Sequence, residues 1–75
     1  MTDTKKLELL ADYQFLAYSV TAIMLQAYEH YESGDDELSW RCLLSAEMFK
    51  EEREKSWTKI RPHYWRACRL KEGLT

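Results

Sequence analysis

Between Tyr13 and Tyr28 the chain runs sixteen residues without a charged side chain, and its apolar positions repeat with a helical period. At 100° per residue, Glu8, Asp12, Ser19, Gln26 and His30 share one narrow arc. To one side fall Leu9, Leu16, Val20, Ile23, Ala27 and Tyr31; to the other fall Leu7, Ala11, Phe15, Tyr18, Ala22 and Leu25. A helix resting on a single core carries one apolar stripe, so two stripes call for neighbours on two sides. The pattern predicts a helix over residues 4–32, capped by Asp3 or Thr4. It ends in "ESGDD", where Gly34 suits the left-handed position after a helix.

A second helix is predicted over residues 36–60, with Asp35, Asp36 and Glu37 at the positive end of its dipole. Leu38, Cys42 and Phe49 form one stripe; Trp40, Leu44 and Met48 form another. Then "KEEREKS", residues 50–56, offers no apolar side chain and reads as a solvated helical stretch, with Glu51 and Lys55 in the favourable i, i+4 order. Pro62 disfavours helical angles at Arg61, which predicts a break at 60–62. A short third helix over residues 62–72 follows, with Gly73 at its end.

The fold class expected is all-α: a long antiparallel helical hairpin plus a short C-terminal helix, one domain over residues 1–75. A lone hairpin leaves one stripe of the first helix uncovered. Two copies forming a four-helix-bundle-like assembly would cover it, with Leu9, Leu16, Val20, Ile23, Ala27 and Tyr31 as the dimer interface. A monomeric three-helix bundle is the competing arrangement. Length favours the dimer, because a chain of 75 residues buries only about 60% of its unfolded surface. With 45% apolar residues, two Gly and one Pro, the composition suits a globular chain rather than a disordered one and leaves room for few reversals.

Charge changes the picture. The net value is −2, yet residues 1–54 hold five bases against twelve acids, and residues 55–75 hold six bases against one acid. Residues 55–71 contain all six of those bases, no acid, and Trp57, Tyr64 and Trp65. Such a segment suits an acidic protein partner, a nucleic acid, or merely a solvated helix face. The acidic bulk of the chain opposes phosphate, and Trp with Arg are the residue types that dominate protein–protein hot spots. The partner-binding residues expected are therefore Trp57, Arg61, Tyr64, Trp65, Arg66 and Arg69, together with Trp40, whose stripe lies opposite Leu38 and Phe49.

No catalytic motif, phosphate loop or metal spacing is present, so an enzyme, a cofactor and a metal are not expected. Ala27 stands three residues before His30 and Ile60 three before His63, where a di-iron bundle requires Glu. Cys42 and Cys68 form no CxxC pair, and the start shows no signal-peptide pattern, which points to reduced thiols in a cytoplasmic setting. The sixteen-residue uncharged run falls short of the roughly 20 apolar residues of a membrane span. The expected function is a small non-enzymatic protein-interaction module of the adaptor, inhibitor or anti-activator type. The reading from a different class is a nucleic-acid-binding regulator that uses residues 55–71.

Overall fold

A computed structural model describes residues 1–74. Helix α1 spans Asp3–Glu32 and α2 spans Asp36–Ile60; a 3₁₀ turn over Arg61–His63 leads into α3, Tyr64–Leu74. The described residues contain no strand. At 1.5 Å per residue, the 30 residues of α1 extend about 45 Å, so this one helix sets the 48 Å length of the molecule.

Local chemistry accounts for each boundary. The N-cap of α1 is Thr2, one position before the residues expected, and its Oγ1 accepts a hydrogen bond from Lys5 N–H at 3.1 Å. Three bonds close the other end. Ser33 N–H donates to the Glu29 carbonyl, Gly34 N–H to Tyr31, and Asp35 N–H to His30 at 2.9 Å. Gly34 sits at φ +81°, the left-handed conformation this closure needs. The Asp35 carboxylate then accepts from Leu38 N–H at 3.1 Å and starts α2. Nothing lies within 4 Å of where a Cβ on Gly34 would stand, so Gly34→Ala pays only backbone strain. It is expected to lower stability by about 1–2 kcal/mol, read as a fall in the urea midpoint with an unchanged slope.

The chain does not break at Pro62. Arg61 keeps helical angles (φ −48°, ψ −46°), its N–H donating to the Trp57 carbonyl, and Pro62 falls at the start of a tightened turn where no N–H is needed. Nor does α3 stop at Gly73, which is helical. One inward stripe therefore passes straight through the proline: Trp57, Ile60, Tyr64, Ala67 and Cys68.

The two long helices meet through small residues. Val20 and Ala27 of α1 and Ser39 and Ala46 of α2 are buried along the half nearer the Ser33–Asp35 turn, and Ser56 is buried toward the other end, beside Leu9. Ser39 Oγ donates to the Ala27 carbonyl at 2.8 Å, which satisfies the hydroxyl and ties the helices together near the Ser33–Asp35 turn. This end is the tip; the opposite end, where α1 begins and α2 ends, is the base. At the base the side chains are larger. Leu9, Leu10, Ile60 and Ala67 form the core cluster, with Tyr13, Trp57, Tyr64 and Cys68 packed against it. The "KEEREKS" stretch is not fully solvated, since Ser56 is buried and Arg53 half-buried. Lys55 pairs with Glu52 at 3.2 Å rather than with Glu51, and Lys50 with Glu47 at 3.2 Å.

Helix α3 packs chiefly on α1 and only at the base. Its eleven residues cannot cover two helices of 30 and 25, so the tip half of the hairpin has no third helix. The result is a slab, 48 × 24 × 14 Å, with a radius of gyration of 15.5 Å where about 11 Å is typical for a compact chain of this length. No helix among the described residues is long and apolar enough to cross a membrane.

Candidate protein-interaction surface

The basic, aromatic segment divides into a buried part and an exposed part. Trp57 and Tyr64, expected at the partner surface, are half-buried and pack their rings against the base core. Tyr13, Trp57 and Tyr64 form a ring triangle with centroids 5.3, 5.3 and 6.4 Å apart, the edge-to-face contacts that aromatic quadrupoles favour. Cys68 beside Tyr64 raises the phenol's pKa above its ordinary value, by charge first and hydrogen bonding next; burial and Tyr13 add to it. Both thiols, Cys42 and Cys68, are free and half-buried.

Trp65 lies on the other side of α3. It is 77% exposed, with its ring edge-on to Tyr64 at 5.2 Å and 74°. Arg69 follows it by four residues along α3, on the same helix face, and Arg61 precedes it by four across the 3₁₀ turn. Both are exposed, and neither forms an ion pair with a described residue. The other two long cations of α3 are engaged: Arg66 reaches Asp3 at 3.7 Å, and Lys71 Nζ donates to Gln14 Oε1 at 2.6 Å. Among the described residues, Arg66–Asp3 is the ion pair that joins basic α3 to the acidic hairpin. Sequence spacing sets Arg69 beside Trp65 on α3, while Arg66 reaches toward Asp3 of α1.

Trp40 is exposed as well, but near the tip. With Leu44 and Met48 it makes a ridge at i, i+4, i+8 on the outer face of α2. The two exposed tryptophans thus mark opposite ends of the slab and do not form one site.

The stripe expected at a dimer interface is used inside the chain. Leu9, Val20 and Ala27 are buried in the hairpin, Leu16 and Ile23 are half-buried, and Tyr31 points to solvent. Left outside is the second stripe: Ala11, Phe15, Tyr18 and Leu25 are exposed, and Ala22 is half-buried. Sequence reasoning also missed Leu10, Ser39 and Ser56 as buried positions. Serine does not register as a core residue, although Ser39, Ala46 and Ser56 share one side of α2 and so carry the signal.

Two shallow depressions follow the groove between α1 and α2 on the side away from α3. One, of about 310 Å³, is lined by Asp12, Phe15 and Leu16 with Lys55 and Lys59; the other, of about 260 Å³, by Ile23, Leu38, Cys42 and Phe49. No three His, Cys, Asp or Glu side chains among the described residues gather around a point where a metal ion would sit. What the molecule offers a partner is ridges and stripes of side chains. A scan against protein-family models finds no match to the chain, and neither the curated proteins nor the solved structures yield one.

Proposed function

We propose that this chain is a small cytoplasmic, non-catalytic, homodimeric interaction module that binds another protein and modulates it, as an adaptor, inhibitor or anti-activator does. The observation that carries this reading is the Arg61–Trp65–Arg69 ridge. An exposed indole with an exposed arginine four residues to either side, neither of them ion-paired with a described residue, supplies the apolar anchor and the forked carboxylate binders that concentrate binding energy in protein interfaces. The partner it fits is an acidic segment with an apolar side chain for Trp65. Nucleic acid fits less well, because Arg66, Lys71 and Lys55 already have protein partners, which leaves Lys59, Arg61 and Arg69 for phosphates.

Crosslinking capture from the native host, followed by titration of the purified partner, tests this. Trp65→Ala with Arg69→Ala is expected to weaken binding by about thirtyfold or more while leaving the helical spectrum intact, because both side chains lie outside the core. A partner held equally well by wild type and variant means that the ridge is not the site. The second measurement is anisotropy on labelled duplex DNA. Three phosphate contacts would make affinity fall about fortyfold over a fourfold rise in salt. Submicromolar DNA binding with that dependence would replace the protein-partner reading.

A further inference from the structure

The solvent face of α1 carries a pattern that the hairpin does not use. Ala11, Phe15, Tyr18, Ala22 and Leu25 follow one another at spacings of four, three, four and three, the a/d rhythm of a helix–helix seam. Phe15 is 65% exposed, Tyr18 73% and Leu25 58%. Around them the helix has no charge on any side from Tyr13 to Tyr28, whereas the outer face of α2 is laced with Glu37, Arg41, Glu47 and Glu51. A surface helix normally keeps its charges on the solvent side. Here the solvent side of α1 is neutral for over four turns.

The amount of exposed surface agrees. The chain exposes 5726 Å², while a folded monomer of 9.0 kDa exposes about 4,850 Å². The excess, roughly 900 Å², matches the approximately 800 Å² that each partner loses in an interface of ordinary size.

We infer that this seam takes a second copy of the same chain, with the two α1 helices antiparallel about a two-fold axis at Tyr18. The order of side-chain sizes chooses the direction. Antiparallel pairing sets Ala11 against the partner's Leu25, Phe15 against the partner's Ala22, and Tyr18 against its own copy. Every large side chain beside the axis then meets a small one. Parallel pairing would set Phe15 on Phe15 and Ala22 on Ala22, with crowding at one level and a void at the next. A two-fold interface must be self-complementary, and this seam is. The inference names the surface for the self-association proposed above, and the Trp65 ridge lies outside it.

Light scattering coupled to size exclusion tests it, with circular dichroism on the same samples. Wild type is expected at twice the 9.0 kDa chain mass at micromolar concentration. Tyr18→Glu places two carboxylates at the axis and is expected to weaken association at least a hundredfold, giving a monomer with an unchanged helical spectrum. Tyr28→Glu, on the α3 side of α1, is expected to leave the dimer intact. Direction is read with a short bis-maleimide in a Cys42→Ala, Cys68→Ala background. Tyr18→Cys should crosslink, whereas Leu25→Cys should not, because antiparallel copies hold those residues about 21 Å apart. A monomeric wild type, a dimer that Tyr18→Glu leaves whole, or efficient Leu25→Cys crosslinking would each overturn the inference. None of these outcomes bears on whether Trp65 docks a partner, so the two readings fail separately.

Discussion

Replacing Ile60 with alanine is expected to remove about 2–5 kcal/mol of stability, a large share of what a chain of this size possesses. Ile60 is 0% exposed and sits where all three helices meet, against Leu9, Leu10 and Ala67. Alanine removes the side chain from the end of α2 and leaves a cavity that Leu10, held on α1, cannot fill. The loss is then both transfer energy and packing. Because α3 holds to α1 through this cluster and the Tyr13–Trp57–Tyr64 triangle, the same substitution loosens α3. Urea melts followed separately by helical circular dichroism and by tryptophan fluorescence are the check. The expected result is a much lower midpoint, with the fluorescence transition coming first. A shift under about 0.5 kcal/mol would mean that the base cluster does not hold the fold.

Val20→Asp is expected to be as damaging, and for a different reason. Val20 is buried between α1 and α2 in the tip half, where a carboxylate would find no base within the small-residue contact. Burying an unpaired charge costs several kcal/mol, so the hairpin should open at neutral pH. Acid should restore part of the fold, because burial raises the carboxyl pKa and the neutral acid is less costly to bury. The hairpin position of Val20 fixes the form of the failure: unfolding, seen as loss of helix at every protein concentration. Tyr18→Glu, two residues earlier on the solvent face, separates copies without that loss. A Val20→Asp chain that stayed helical would place Val20 outside the α1–α2 contact.

The comparison of these two positions shows how far the residues themselves were legible. The boundaries of α1 and α2 were readable because Gly34, Asp35 and Asp36 each favour one local conformation regardless of what packs around them. Which stripe of α1 turns inward was not, because both are apolar and hydrophobicity alone cannot rank them. Size could have: the inward positions of the tip half are Val20, Ala27, Ser39 and Ala46, and the large rings Phe15 and Tyr18 lie outside. Trp57 and Tyr64 suggest a partner surface by residue type, because they stand among six bases with no acid, and residue type does not tell an inward ring from an outward one. Pro62 occupies a first turn that needs no N–H, so the phase carries through and joins Trp57 and Ile60 to Tyr64 and Ala67. Trp65, one residue off that stripe, faces outward for the same geometric reason.

That α3 lies only across the base gives the hairpin two different stabilities along its length. Opening the last turns of α1 with the first turns of α2 uncovers little beyond Ala27, Ser39 and the single hydrogen bond between them. Opening the base uncovers Leu9, Leu10, Ile60 and Ala67 together. Sub-global opening of the tip therefore lies well below global unfolding in free energy, and its amides exchange through that cheaper route. The Trp40 ridge rides on the part of the molecule expected to open first, and the Trp65 ridge on the part expected to open last. A partner gripping the tip would have to order it and lose affinity to that ordering, whereas one docking at α3 meets a surface already set.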